Sequence, residues 1–137
     1  MKKRFKAEIS ELEEVFKFLN EQMPSEMGSK EFNRIKVSVE EIFVNIANYA
    51  YKEADPAVDK YVDVDVVNNE EPRSVIISFE DFGIPFNPLE QPAPDIDVYR
   101  NHEKIGGLGI YIVKKSMDNV YYKYSDNKNI FTIVKNI

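Results

Sequence analysis

Three short stretches of this chain carry side chains suited to chemistry on a charged ligand. The first is "VEEIFVNIANYAY", residues 39–51. At roughly 100° per residue on a helix, Glu41, Asn45 and Asn48 share one narrow face with Arg34, Ser38 and Lys52, and Glu40 points elsewhere. The wet side of an amphipathic helix gives the same pattern. Asparagine, however, is a poor helix former and gains nothing locally in mid-helix. An amide oxygen beside a carboxylate suits a hard cation such as Mg²⁺, which takes few protein ligands and completes its shell with water and phosphate oxygens.

The second stretch, "EDFGIPFNP" (80–88), follows the apolar run "SVIISF". Asp81 closes that run, where its carboxylate could accept a hydrogen bond from an exocyclic amine. Gly83 would let a flat ring lie against the backbone, and Pro85, Phe86 and Pro88 make the loop stiff and sticky. A plain turn also favours Asp and Gly. The third stretch, "KIGGLGIYIVKK" (104–115), sets Gly106, Gly107 and Gly109 around Leu108 at the mouth of a helix. Glycines admit close backbone approach, and the unpaired N–H groups of a first helical turn can hold phosphate. A flexible loop running into a tight helix start reads the same way. Neither G-x-x-x-x-G-K-[ST] nor G-x-G-x-x-G occurs, so neither a P-loop nor a dinucleotide fold is indicated.

Composition narrows the function classes. A chain of 137 residues with 43% hydrophobic and 31% charged residues fits one domain over 1–137 with an ordinary core. The formal net charge of −6 argues against general affinity for nucleic acid. No cysteine is present, and the single histidine, His102, cannot build a His-rich zinc site. The basic start "MKKRFKAEIS" lacks the apolar stretch of a signal peptide. No apolar run approaches the roughly 20 residues of a membrane span, so a cytoplasmic protein without membrane partners is expected.

The elements that must position these groups follow from periodicity. Phe5 to Ile9 alternates like a short strand. Ser10 and Glu13 form a capping-box pattern, and Leu12, Val15, Phe16 and Leu19 step through a first helix that ends near Met23-Pro24. Ile35, Val39, Ile42, Ile46 and Tyr49 mark a long second helix from about Lys30 to Lys52. Tyr61–Val67 and Ser74–Phe79 form a hairpin around "NNEEP". Residues 82–107 make a long connection, a length that is usually functional or mobile. Leu108–Met117 is a third helix, and "NVYYKY" and "NIFTIVKN" are two strands around "SDNKN". This order predicts an α+β two-layer sandwich, a mostly antiparallel sheet with three main helices on one face.

In order and spacing, "VEEIFVNIANYAY", "EDFGIPFNP", "GGLGIYIVKKSMDNVYY" and "NIFTIVK" together resemble the histidine-kinase-like ATPases of the Bergerat ATP-binding fold. Within that family the chain is most similar to stand-alone anti-sigma-factor serine/threonine kinases, over roughly residues 5 to 136. The resemblance implies ATP and Mg²⁺ as cofactors. It implies Asn45 as metal ligand, Glu41 as catalytic base toward a substrate hydroxyl, and Asp81 as acceptor for the adenine amine. Gly83 would let adenine approach, with Pro85 and Phe86 at the pocket rim. Gly106, Gly107, Leu108 and Gly109 would surround the phosphates, residues 89–105 would form the lid, and Thr132 would sit in the strand that closes the adenine pocket. Where relatives often carry His-Gly or His-Ala after the asparagine, this chain has "NYAY", with Tyr49 expected on the core stripe. Arg100, His102 and Lys104 are the lid's candidate phosphate partners.

The implied partners are a STAS-type anti-anti-sigma protein, a sigma factor and a second copy of the chain, in transcription regulation. A nucleotide-dependent regulatory module with little turnover is the alternative. The ATPase half of a two-component histidine kinase is disfavoured, because the chain starts almost at its first strand, leaving no room for a helix pair bearing a phospho-acceptor histidine.

Overall fold

The computed structural model describes residues 1–90 and 108–137. Five strands, β1 (Lys2–Lys6), β2 (Tyr61–Glu70), β3 (Arg73–Asp81), β4 (Asn119–Ser125) and β5 (Lys128–Asn136), form one antiparallel sheet in the order β1-β2-β3-β5-β4. Among the described residues three α-helices, α1 (Leu12–Gln22), α2 (Ser29–Asn45) and α3 (Leu108–Ser116), accompany it. The expected α+β architecture is what the chain adopts.

Strand alternation builds the core. On one face of the sheet Val62, Val64 and Val66 pair with Asp81, Phe79 and Ile77, and Ile77 and Phe79 pair in turn with Ile133 and Phe131. These apolar residues are buried in one cluster with Val15, Phe18 and Leu19 of α1, Ile35, Val39, Ile42 and Phe43 of α2, and Val113 of α3. The rings of Phe5 and Phe18 meet edge-on, 5.9 Å between centroids. The other face carries polar pairs: Arg4 binds Asp63 through two nitrogens at 2.8 and 3.0 Å, and Lys2 Nζ reaches Glu80 at 2.8 Å. Edge strand β1, "KKRFK", has the Lys and Arg content that discourages further strand pairing.

Several boundaries differ from the periodicity. The first strand lies earlier than Phe5–Ile9: its ladder with β2 ends at Lys6 opposite Tyr61, and although Phe5 and Ala7 are buried, Ile9 is exposed and opens a 3₁₀ turn, Ile9–Glu11. That turn replaces the Ser10–Glu13 capping box: Glu11 precedes α1, and no side chain caps the helix. In the β2–β3 hairpin Asn68, Asn69 and Glu70 continue the ladder opposite Val75, Ser74 and Arg73, so "NNEEP" is mostly strand. Asp126 and Asn127, both at positive φ (54° and 62°), turn β4 into β5, as a two-residue hairpin of the I′ kind requires.

The largest departure concerns the second helix. It stops being α-helical at Asn45 and continues as a π-helix over Ile46–Ala50. A π-turn takes more residues than an α-turn. The inward position after Ile46 therefore moves past Tyr49, which is 61% exposed, to Tyr51, which is 8% exposed. Tyr49 is thus not on the core stripe.

Candidate active site

The C-terminal half of α2 is where the chemistry-bearing residues meet. Ser38, Ile42 and Phe43 are buried, Glu40 is exposed, and Glu41 and Asn45 are partly buried. Gly109, in the first turn of α3, lies directly against this pair. A Cβ built on Gly109 would stand 2.6 Å from Glu41 Oε2 and 3.4 Å from Asn45 Nδ2. The helix that follows the glycine cluster therefore begins where the carboxylate and the amide of α2 converge. The opening of a helix carries partial positive charge, so the Glu41 carboxylate sits in a favourable field. Asn48, expected on the same face, is exposed on the π-turn.

Five residues beyond Asn45, at the end of the π-helical stretch, the same helix meets the Asp81 loop. Ile84 N–H donates to the Ala50 carbonyl at 3.3 Å. A Cβ on Gly83 would lie 2.2 Å from the Ala50 oxygen and 2.7 Å from its carbon. Glycine is required here because the helix end occupies that side of the residue. Gly83→Ala is expected to push helix and loop apart and to cost about 1–3 kcal/mol, the usual range for overpacking. Urea unfolding of the purified variant measures it, and unchanged stability would contradict the contact.

Tyr51 supplies the second tether. Its buried hydroxyl accepts from Phe82 N–H at 2.8 Å and donates to the Tyr61 carbonyl. Burial raises the pKa of this phenol, which keeps the donor proton in place.

Asp81 ends β3 on the helix-covered face, paired with Asn129 of β5. It is 6% exposed. Burial pushes its pKa above the ordinary carboxylate value, and hydrogen bonds from Asn129 and from the Gly83 N–H pull partly the other way. Both bonds end on one oxygen: Gly83 N–H at 2.9 Å and Asn129 Nδ2 at 3.0 Å reach Oδ1. Among the described residues, no donor is found on Oδ2. Pro85 and Phe86 are exposed, and the Phe86 N–H donates to Asn129 Oδ1 at 3.1 Å. They form a rim to this corner and do not wall it.

Thr132 is a correction. It pairs with Ser78, with their hydroxyl oxygens 2.9 Å apart. Asn129 and Thr132 are an odd number of positions apart, so on an alternating strand they face opposite sides. Thr132 therefore lies on the face of the sheet away from Asp81. Asn129, which no motif singled out, stands beside Asp81 instead. The parity of "NIFTIVKN" was the available signal: Asn129 shares the side of Phe131 and Ile133, the inward residues. Leu108 opens α3. Gly106, Gly107 and the lid candidates Arg100, His102 and Lys104 lie outside the described residues.

A family model for the histidine kinase-like ATPase domain matches residues 5–135. That span is nearly the whole chain, and the protein belongs to this family of nucleotide-binding, ATPase-type domains. No curated protein sequence matches the chain. Among the described residues, no helix is long and apolar enough to cross a membrane.

Proposed function

We propose that this domain is a serine/threonine protein kinase of the anti-sigma-factor type, acting on a STAS-type anti-anti-sigma protein and holding a sigma factor as a second partner. The observation that carries the reading is the seat of Gly109 against Glu41 and Asn45, where a side chain would collide with the carboxylate. A site built for a bulky anion and a small cation needs this convergence of bare backbone, one amide and one carboxylate.

These residues fit Mg-ATP. The Asn45 amide oxygen would hold the cation, whose taste for few protein ligands suits a site with one such amide. The first turn of α3 would give its free N–H groups to phosphate oxygens. Asp81, its Oδ1 already bonded twice, would turn Oδ2 to the adenine amine. Glu41 would orient a partner's hydroxyl and take its proton. Bound Mg-ATP would supply the transferable phosphoryl group, its cation offsetting phosphate charge, which would leave the protein mainly the tasks of positioning and electrostatics.

The test uses the whole chain with labelled ATP, Mg²⁺ and a STAS-type protein, followed by electrophoresis. Label on a serine or threonine of the partner is the expected result. Calorimetry with ADP and Mg²⁺ runs beside it. Nucleotide binding without label on the partner would replace the kinase reading with a regulatory module, and no binding at all would remove both.

A further inference from the structure

Asn129 is unusual among the polar side chains of the described residues, because every hydrogen-bonding position of its amide is used. It is 6% exposed. Nδ2 donates to Asp81 Oδ1 at 3.0 Å and to the Ile84 carbonyl at 2.8 Å, with the Gly83 carbonyl farther off at 3.4 Å. Oδ1 accepts from Phe86 N–H at 3.1 Å and from the Tyr122 hydroxyl at 2.5 Å. The partners fix which way the amide points. A backbone N–H can only donate and a carbonyl can only accept, so the atom facing Phe86 must be oxygen and the atom facing Ile84 must be nitrogen. A donor is thus forced onto Asp81.

We propose that Asn129 is a positioning residue for base selection: one side chain sets which Asp81 oxygen stays free to accept and holds the loop around it. The proposal rests on the adenine-binding reading above and adds a residue to it. With Oδ1 held by Asn129 and Gly83, the carboxylate plane is fixed, and Oδ2 is presented as a pure acceptor. Such an acceptor suits a base with an amine and opposes one with a carbonyl oxygen in the same place. Without Asn129 only the Gly83 N–H still holds Oδ1, the carboxylate can turn about that single bond, and selection between the two bases weakens.

Calorimetry compares ADP with inosine diphosphate, which carries an oxygen where adenine carries its amine, both with Mg²⁺. Wild type is expected to prefer ADP. In Asn129→Ala the ADP affinity should fall about tenfold or more, as expected for a lost bond to a charged group, with inosine diphosphate changed by about twofold or less. The preference ratio therefore narrows. Equal losses for both nucleotides, or no loss for ADP, would overturn the proposal, since a merely structural role lowers both together. If thermal unfolding shows that Asn129→Ala does not fold, Tyr122→Phe carries the test. It removes one bond to Asn129 Oδ1 and should narrow the ratio about fivefold, the worth of one ordinary hydrogen bond. An unchanged ratio there would overturn the proposal. A wild type that binds neither nucleotide, or both alike, would instead defeat the adenine reading itself.

Discussion

Replacing Glu41 by alanine is expected to slow phosphoryl transfer by about 10²- to 10⁴-fold, the usual worth of a positioned general base, without weakening nucleotide binding. The two effects separate because of where the carboxylate lies. Glu41 Oε2 occupies the space beside Gly109 at the opening of α3. Anionic phosphates, held at the same opening as proposed above, would be repelled by it. Its removal takes away a proton acceptor and, with it, a negative charge near the ligand, so ADP affinity should stay constant or rise. Glu41→Gln keeps the shape but cannot take a proton, and it should be as slow as alanine. Single-turnover transfer to the partner and calorimetry with ADP give the two quantities. Transfer at the wild-type rate by either variant would show that the proton goes elsewhere.

Asp81→Asn should have opposite effects on ligand and fold. Its amide can keep an oxygen toward Gly83 N–H and Asn129 Nδ2, while a donor replaces the acceptor at Oδ2. Two donors then confront each other at the adenine amine, and ADP affinity should fall about ten- to a hundredfold. The ligand-free protein should gain stability at neutral pH. Burial raises the Asp81 pKa above 3.8, so the folded chain binds this proton more tightly than the unfolded one. Stability contributed by the protonated group is present at low pH, declines as pH rises from 3.8 through the raised value, and stays lost above it. Asparagine does not titrate. Urea unfolding should find the two proteins closest near pH 4 and the variant ahead at pH 7. A variant less stable than wild type at pH 7 would mean that Asp81's hydrogen bonds outweigh its burial.

Much of this was legible in the sequence, for reasons that mark its limits. Period-two alternation in "YVDVDVV" and "SVIISF" identifies the strands, because each side chain must choose one face. Steps of three and four from Ile35 to Ile46 identify α2 and separate Glu41 from Glu40. Tyr49 was misplaced because a period of 3.6 assumes continuous α-helix, and nothing local in "NIANYAY" announces a π-turn. The turn is held by distant partners, Phe82 and Tyr61, through the Tyr51 hydroxyl. Thr132 was misplaced by motif position where face parity would have chosen Asn129. Gly83 was read as space for a ring, yet its first neighbour is the end of the same helix that bears Asn45, a contact between residues far apart in the chain.

The tyrosine tether has a mechanical consequence. Tyr51 and the Ala50 carbonyl join the helix of Asn45 to the loop of Asp81 at two points, so the grips proposed above for metal and base would belong to one jaw. Their spacing is a property of the protein and not of what it holds. A compound that carries the right base but a shortened or stretched tail could engage one grip only, and the domain would thereby measure the length of its ligand as well as its chemistry.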